Sequence, residues 1–333
     1  VSDIQNKASP ADPAIIGRKV FFLNPSYSMN PGIAALRGQG YEVYAIDNYR
    51  DAKNILSRNP ESICIITIDS QMAPACWGAF VSTFRANKML ENTIVGIFSE
   101  RYRKDMILPF FDQIELKGGI MVYDDDTSME DIFRATVQML EKHGAKGRRQ
   151  YVRASCTADR TAMLYWTESN ECMHQMKLLD ISAAAVAVRL PATMAGKVQP
   201  RQVLHMITLV LGLRQYTTDV SILAIKQLPT STVAIMTFNG PQSPKMAKGI
   251  QEYIFSSLQK QLLASINGMH PDQEDYRVMA EQHKLVKGIG NSSEKAAGAE
   301  AAAPGSDTPA GETGDAEQQS AEAEAPAGLP DNG

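Results

Sequence analysis

Five short runs, KVFFLN (19–24), YEVYAID (41–47), SICIITID (62–69), NTIVGIF (92–98) and GIMVYD (119–124), punctuate the first 125 residues, and they constrain the fold more than any other feature. Each is rich in apolar and β-branched residues, bounded by polar ones and too short for a buried helix, so each reads as a strand. Helix-compatible stretches separate them. Strands alternating with helices make a parallel sheet, because each helical crossover returns the chain to the same end, and such a sheet is covered on both faces. The sequence therefore predicts a doubly wound, parallel five-stranded α/β domain over residues 16–143, preceded by a loose polar arm, 1–15. Its last helix carries Thr127 and Glu130 as a capping pair. Met129, Ile132, Phe133, Thr136, Val137 and Leu140 form its apolar face, and Gly144 is its stop.

Beyond a short linker at 144–148 the pattern changes. RQYVRASC, TAMLYWTE, ECMHQMKLLDIS, AVAVRL, QVLHMITLVLGL, DVSILAIKQL and STVAIMTF are seven strand candidates with turn residues between them, which predicts a small antiparallel barrel. STVAIMTF reads as a strand buried on both faces. Ser243 and Pro244 then open a helix with Met246, Ile250, Ile254, Leu258 and Leu262 on one stripe, widened by Tyr253 and Leu263 and closed at Asn267-Gly268. That stripe suits a helix laid on the barrel; a dimer helix is the alternative. A weakly helical segment at 271–288 completes the second domain, 149–288. From 289 to the end the chain is Ala, Gly, Glu, Pro and Ser with almost no large apolar residue. It cannot bury enough surface to offset its ordering entropy and is expected to be disordered.

With 333 residues, 44% of them hydrophobic, the chain can supply two cores. The stretch from 291 onward holds nine acids and one lysine, which leaves 32 basic and 28 acidic residues in the remainder. That small excess suits a compact anion and falls short of the clustered charge that nucleic acid requires. The longest apolar run, VLHMITLVLGL at 203–213, is too short to span a bilayer, and the chain opens on no export signal, so a cytoplasmic protein is expected. Cys64, Cys76, Cys156 and Cys172 stand singly, without a CxxC pair or histidines at zinc spacing; no metal site is expected.

The chemistry concentrates in RRQYVR, 148–153. Arginine presents a planar, permanently charged fork that grips a phosphate or the O6/N7 edge of guanine bidentately. Downstream, LLDISAAAV sets Asp180 and Ser182 two apart. Arg149 and Arg153 as RxxxR, followed by Asp180, Ser182 and then Ala185 at the last position of a [D/N]xSxxG pattern, resemble the PilZ domain, the bacterial receptor module for cyclic di-GMP. The resemblance implies that Arg149 and Arg153 reach phosphates and guanine edges, that Asp180 accepts from guanine N1 and N2, and that Ser182 donates to a phosphate or O6. It also implies that Arg148 reaches a second, stacked nucleotide. Ala185 departs from the pattern: a Cβ replaces glycine, and crowding of the ligand or strain in the turn is the expected consequence.

The first domain resembles the response-regulator receiver. That resemblance makes Asp69, after the third strand, the phospho-acceptor and Ser99 the hydroxyl residue after the fourth. Asn24 and Pro25 stand where receivers carry the acidic pair for Mg²⁺, and Tyr123 and Asp124 where they carry a lysine, so a degenerate receiver is expected. No phosphate-binding loop, nucleophile elbow or paired histidine appears, and no catalytic residue is assigned. The expected function is a cyclic di-GMP effector, non-enzymatic and without a cofactor, acting on an unidentified protein partner as monomer or homodimer. Motility, surface polysaccharide and virulence are the processes the family commonly controls. The alternatives are a PilZ-fold interaction scaffold and a phosphorelay regulator acting through Asp69.

Overall fold

The computed structural model describes residues 17–124, 127–168, 172–194 and 196–281. Strand β1 (Val20–Leu23) lies between β2 (Val43–Ile46) and β3 (Ile63–Thr67), with β4 (Ile94–Ser99) and β5 (Ile120–Val122) following outward, all parallel. The expected five-stranded sheet is present. Alternation along β1 divides the core: Val20 and Phe22 face α1 (Asn30–Gly38) and α5 (Met129–Lys142). Phe21 and Leu23 face α2 (Tyr49–Ser57), α3 (Pro74–Ala86) and α4 (Lys104–Phe111). With helices on both sides, β1, β3 and β4 are buried along their whole length.

One cap differs from expectation. Helix α5 begins at Met129, so its cap is Ser128, whose Oγ accepts from Asp131 N–H at 3.1 Å while Ser128 N–H donates to Asp131 Oδ2 at 3.3 Å. The pair Thr127 and Glu130 has the same spacing one residue earlier, and spacing alone does not choose between overlapping boxes.

All seven strands of the second half form: β6 (Arg153–Ser155), β7 (Met163–Thr167), β8 (Met173–Ser182), β9 (Ala185–Leu190), β10 (Val203–Leu211), β11 (Arg214–Leu228) and β12 (Ser231–Phe238). Their order is β6-β8-β7-β10-β11-β12-β9, and the pairing of β8 with β9 closes six of them into an antiparallel barrel, with β6 paired to the end of β8 and its Ala154 in the barrel core. Strand β12 is buried on one face only. Thr232, Ala234 and Met236 point inward while Ile235 is 40% exposed, because a barrel strand has solvent outside.

Helix α6 (Pro244–Ile266) is capped by Ser243, whose Oγ accepts from Met246 N–H at 3.2 Å. It belongs to both bodies. Met246, Ile250, Ile254 and Phe255 enter the barrel core, and Leu262 joins the α/β core. Leu263, expected in the stripe, is exposed. Gln259 spans the open edge of the parallel sheet, its Oε1 accepting from Ala45 N–H at 3.2 Å and its Nε2 donating to Ala45 O at 2.7 Å. A bridging amide of this kind satisfies an edge strand that would otherwise offer unpaired groups.

After α6 the chain runs back over α2. Asp272 N–H donates to Arg50 O at 2.9 Å, and Lys53 pairs with Asp272 at 3.2 Å and with Glu274 at 2.8 Å. Tyr276, 2% exposed, enters the α/β core edge-on to Tyr49 and Phe80. Residues 276–281 are helical. The arm at 1–15, the last part (282–288) of the segment expected at 271–288 to be helical, and the tail at 289–333 lie outside the described residues. Among the described residues no helix is long and apolar enough to cross a membrane. Cys64, Cys76 and Cys156 are buried and Cys172 is exposed.

Candidate functional site

Strand β6 carries the first half of the motif to the second. Its antiparallel pairing with β8 sets Arg153 opposite Ser182 and Ser155 opposite Asp180. In β8 the register with β9 shifts between Leu178 and Asp180. This bulge lets Leu178 and Ile181 both point inward, so Asp180 stays on the outer side, partly buried. Burial raises the Asp180 carboxyl above its ordinary range, and the charges of Arg153 and then Arg149 oppose that rise. Both guanidiniums therefore act on one half-buried carboxylate.

Ser182 has a different surrounding from Asp180. It is 4% exposed and closes the two-residue turn between β8 and β9: its Oγ–H donates to Ala185 O at 3.1 Å and its Oγ accepts from Ala185 N–H at 3.1 Å. Ala185 opens β9 opposite Thr237 and has no positive φ, so the strain expected from its Cβ does not arise.

The segment carrying the arginines is anchored to the α/β body. Ala145 is buried with the α1 and α5 core residues, Arg18 N–H donates to Gly144 O at 3.1 Å, and Lys146 Nζ lies 4.5 Å from the centre of the Tyr41 ring. At Gly17 and Gly40, both with positive φ, the backbones approach so closely that a Cβ would stand 2.5 Å from Ala145 O and 2.9 Å from Gln150 O. The whole of 144–150 thus lies along the body, and regular strand begins only at Arg153.

Arg149, Tyr151 and Arg153 form one wall of a cavity of about 800 Å³, whose opposite wall is the N-terminal end of the parallel sheet. That wall includes Arg18, Lys19, Glu42, Arg58, Asn59 and Glu61. Arg18 pairs with Glu61 at 3.9 Å and Lys19 with Glu42 at 3.8 Å, so the two acids are matched. Arg58, Arg149 and Arg153 make no side-chain hydrogen bond or ion pair among the described residues. Arg148 is exposed and lies outside the lining, as do Asp180, Ser182 and Ala185. Sequence reasoning missed Arg58 and Gly40; neither belongs to a motif, and only the packing of distant segments brings them to the lining of this cavity.

At the other end of the parallel sheet, Asp69 follows β3. It accepts from Ser99 Oγ–H at 2.6 Å and from Glu100 N–H at 2.7 Å, which ties down the loop after β4. Asn24 is tied to the end of β3 and the loop after it by an amide network: its Nδ2 donates to Thr67 O at 3.0 Å, and its Oδ1 accepts from Ser70 Oγ–H at 3.1 Å and Gln71 Nε2–H at 2.9 Å. These residues do not fit a divalent cation, because the amide oxygen that could ligate it is already engaged and Pro25 offers no side-chain oxygen. Among the described residues no group of three or more His, Cys, Asp or Glu could hold a metal ion.

No family model and no curated protein sequence matches the chain. Solved structures similar to it include the PilZ domain with c-di-GMP of YcgR from Escherichia coli, 16% identical, with 36% of this chain and 98% of that chain covered and a TM-score of 0.32. The K. pneumonia MrkH complex with c-di-GMP is 15% identical over 35% of this chain and 54% of that one, with a TM-score of 0.29. The chain thus spans about half the length of MrkH. A response regulator from Desulfuromonas acetoxidans is 12% identical, with 38% of this chain and 97% of that chain covered and a TM-score of 0.30.

Proposed function

We propose that this chain is a cyclic di-GMP effector that captures the dinucleotide at Arg149, Arg153 and Asp180 and passes occupancy on as a changed protein surface. One observation carries the reading: the RxxxR segment and the DxS segment, far apart in sequence, meet on the outside of a closed barrel, with Arg153 opposite Ser182 and both arginines acting on Asp180. Two guanidiniums without a salt bridge among the described residues, acting on one carboxylate, offer donors for phosphates and O6 and an acceptor for guanine N1 and N2. Arg148 is the candidate for a second, stacked nucleotide, to be read from stoichiometry.

On this reading the receiver-like body is not a phosphorelay element. Asp69 is engaged by Ser99 and Glu100, and the cation ligands are replaced by the Asn24 network. The message has a material route in α6, which is buried in both cores. A nucleotide-free interaction scaffold is the second reading, favoured by Ser182, whose hydroxyl proton is taken by Ala185 O.

Isothermal titration with cyclic di-GMP, with GTP and cyclic GMP as controls, separates them. Saturable binding of the cyclic dinucleotide alone, lowered roughly thirty- to hundred-fold in Arg149→Ala by loss of a charge-assisted contact, supports the effector. Binding unaffected by Arg149→Ala overturns the assigned site, and no binding leaves the scaffold.

A further inference from the structure

We infer that the receiver-like body supplies the second wall of the ligand cleft, and that Arg58, at the C-terminal end of α2, contacts the dinucleotide directly. The inference rests on the cyclic di-GMP reading and goes beyond it by assigning a binding residue outside the barrel and outside both of its motifs.

Charge carries the argument. The cavity between the arginine segment and the N-terminal end of the sheet has five cationic and two acidic side chains in its lining. Arg18 and Lys19 are matched by Glu61 and Glu42, and Lys19 Nζ also donates to Asn59 Oδ1 at 2.9 Å. Among the described residues Arg58 on one wall has no ion-pair partner, and Arg149 and Arg153 on the other have none within 4.0 Å and share only the field of Asp180, which lies outside the lining. Three guanidiniums lining a single cleft of about 800 Å³ call for an anion, and the volume lies in the range of small-molecule sites. A cyclic dinucleotide has two phosphodiesters and two bases on opposite sides of its ring. Arginines on one wall can engage only the side that faces them; Arg58 stands across the cavity, where the other side would lie.

Position supports the assignment. Arg58 is exposed, and its backbone is fixed by N–H donation to Ile55 O and Leu56 O at the end of α2, so the residue is held while its side chain is free to meet a ligand. The opposite wall is held too, since Gly40 and Gln150 are in close contact. Both walls are therefore in place before a ligand arrives, and the cost of ordering them falls on folding, not on binding.

The test is titration of the full chain with cyclic di-GMP for wild type, Arg58→Ala, Arg58→Lys, Arg149→Ala and the control Arg103→Ala, a surface residue whose partner is Asp105. Arg58→Ala is expected to weaken binding roughly ten-fold or more, as for loss of one charge-assisted contact, with an unchanged thermal melt. Arg58→Lys keeps the charge and loses the planar fork, so its affinity is expected close to that of Arg58→Ala. Arg103→Ala should bind as wild type. Wild-type affinity in Arg58→Ala, with Arg149→Ala defective, overturns this inference and leaves the proposed function standing. Wild-type affinity in Arg58→Lys alone means a through-space field and overturns the direct contact. Absence of binding by the wild-type chain overturns both together.

Discussion

Gly40 and Gln150, 110 positions apart, are in such close contact that a Cβ on Gly40 would lie 2.9 Å from the Gln150 carbonyl oxygen, and Gly40 itself has φ +85°. This contact holds the arginine segment against the N-terminal end of the sheet. Gly40→Ala is expected to lower stability by about 1 kcal/mol or more through backbone strain and to push 148–153 outward. Cyclic di-GMP affinity should fall with it, while far-ultraviolet circular dichroism is retained. Unchanged affinity would show that the arginines are positioned by the barrel alone.

Asp180 predicts opposite effects on stability and binding. Burial raises its carboxyl, with Arg153 and Arg149 opposing, so in the folded protein the ionised form is disfavoured relative to the unfolded chain. A raised carboxyl costs nothing below the ordinary aspartate range. Its cost grows as pH climbs through that value and then through the raised folded value. Asp180→Asn should therefore melt no lower than wild type at neutral pH, with any gain vanishing toward the ordinary range, whereas its affinity for cyclic di-GMP should drop roughly ten-fold through loss of the acceptor. Melting curves from acid to neutral pH and one titration check both.

Asp69 should not take phosphate from acetyl phosphate in Mg²⁺. Its oxygens are engaged by Ser99 and Glu100, and the network around Asn24 replaces the cation's ligands. Asp69→Asn is expected to destabilise the loop after β4 by about 1 kcal/mol as the hydrogen bonds weaken. A phosphoprotein band that disappears in this variant would restore the phosphorelay reading.

Tyr276→Ala should cost about 3–5 kcal/mol, as for removal of a fully buried aromatic ring, because Tyr276 fills the α/β core from the far end of the chain. The loss should appear as a lowered melt of the receiver-like body. A cost below about 1 kcal/mol would show that the segment after α6 adds little to that body.

Local pattern determined much of this protein. Twelve strands follow from runs of β-branched and apolar residues, the parallel sheet follows from their alternation with helices, and Ser243-Pro244 marks the start of α6 at the right residue. Arg149, Arg153 and Asp180 could be picked out as candidates because each half of the motif is a short, chemically specific string. Where neighbouring strings had equal merit, as with Thr127–Glu130 and Ser128–Asp131, geometry at the helix start made the choice. Tertiary structure alone decided that α6 serves two cores, that Gln259 closes the edge at Ala45, and that Arg58 faces Arg149 across a cavity. The reason is physical. Periodicity reports which face of an element is apolar, but not which distant surface that face or its end will meet, and these contacts join segments 90 to 220 residues apart through packing that no local run encodes.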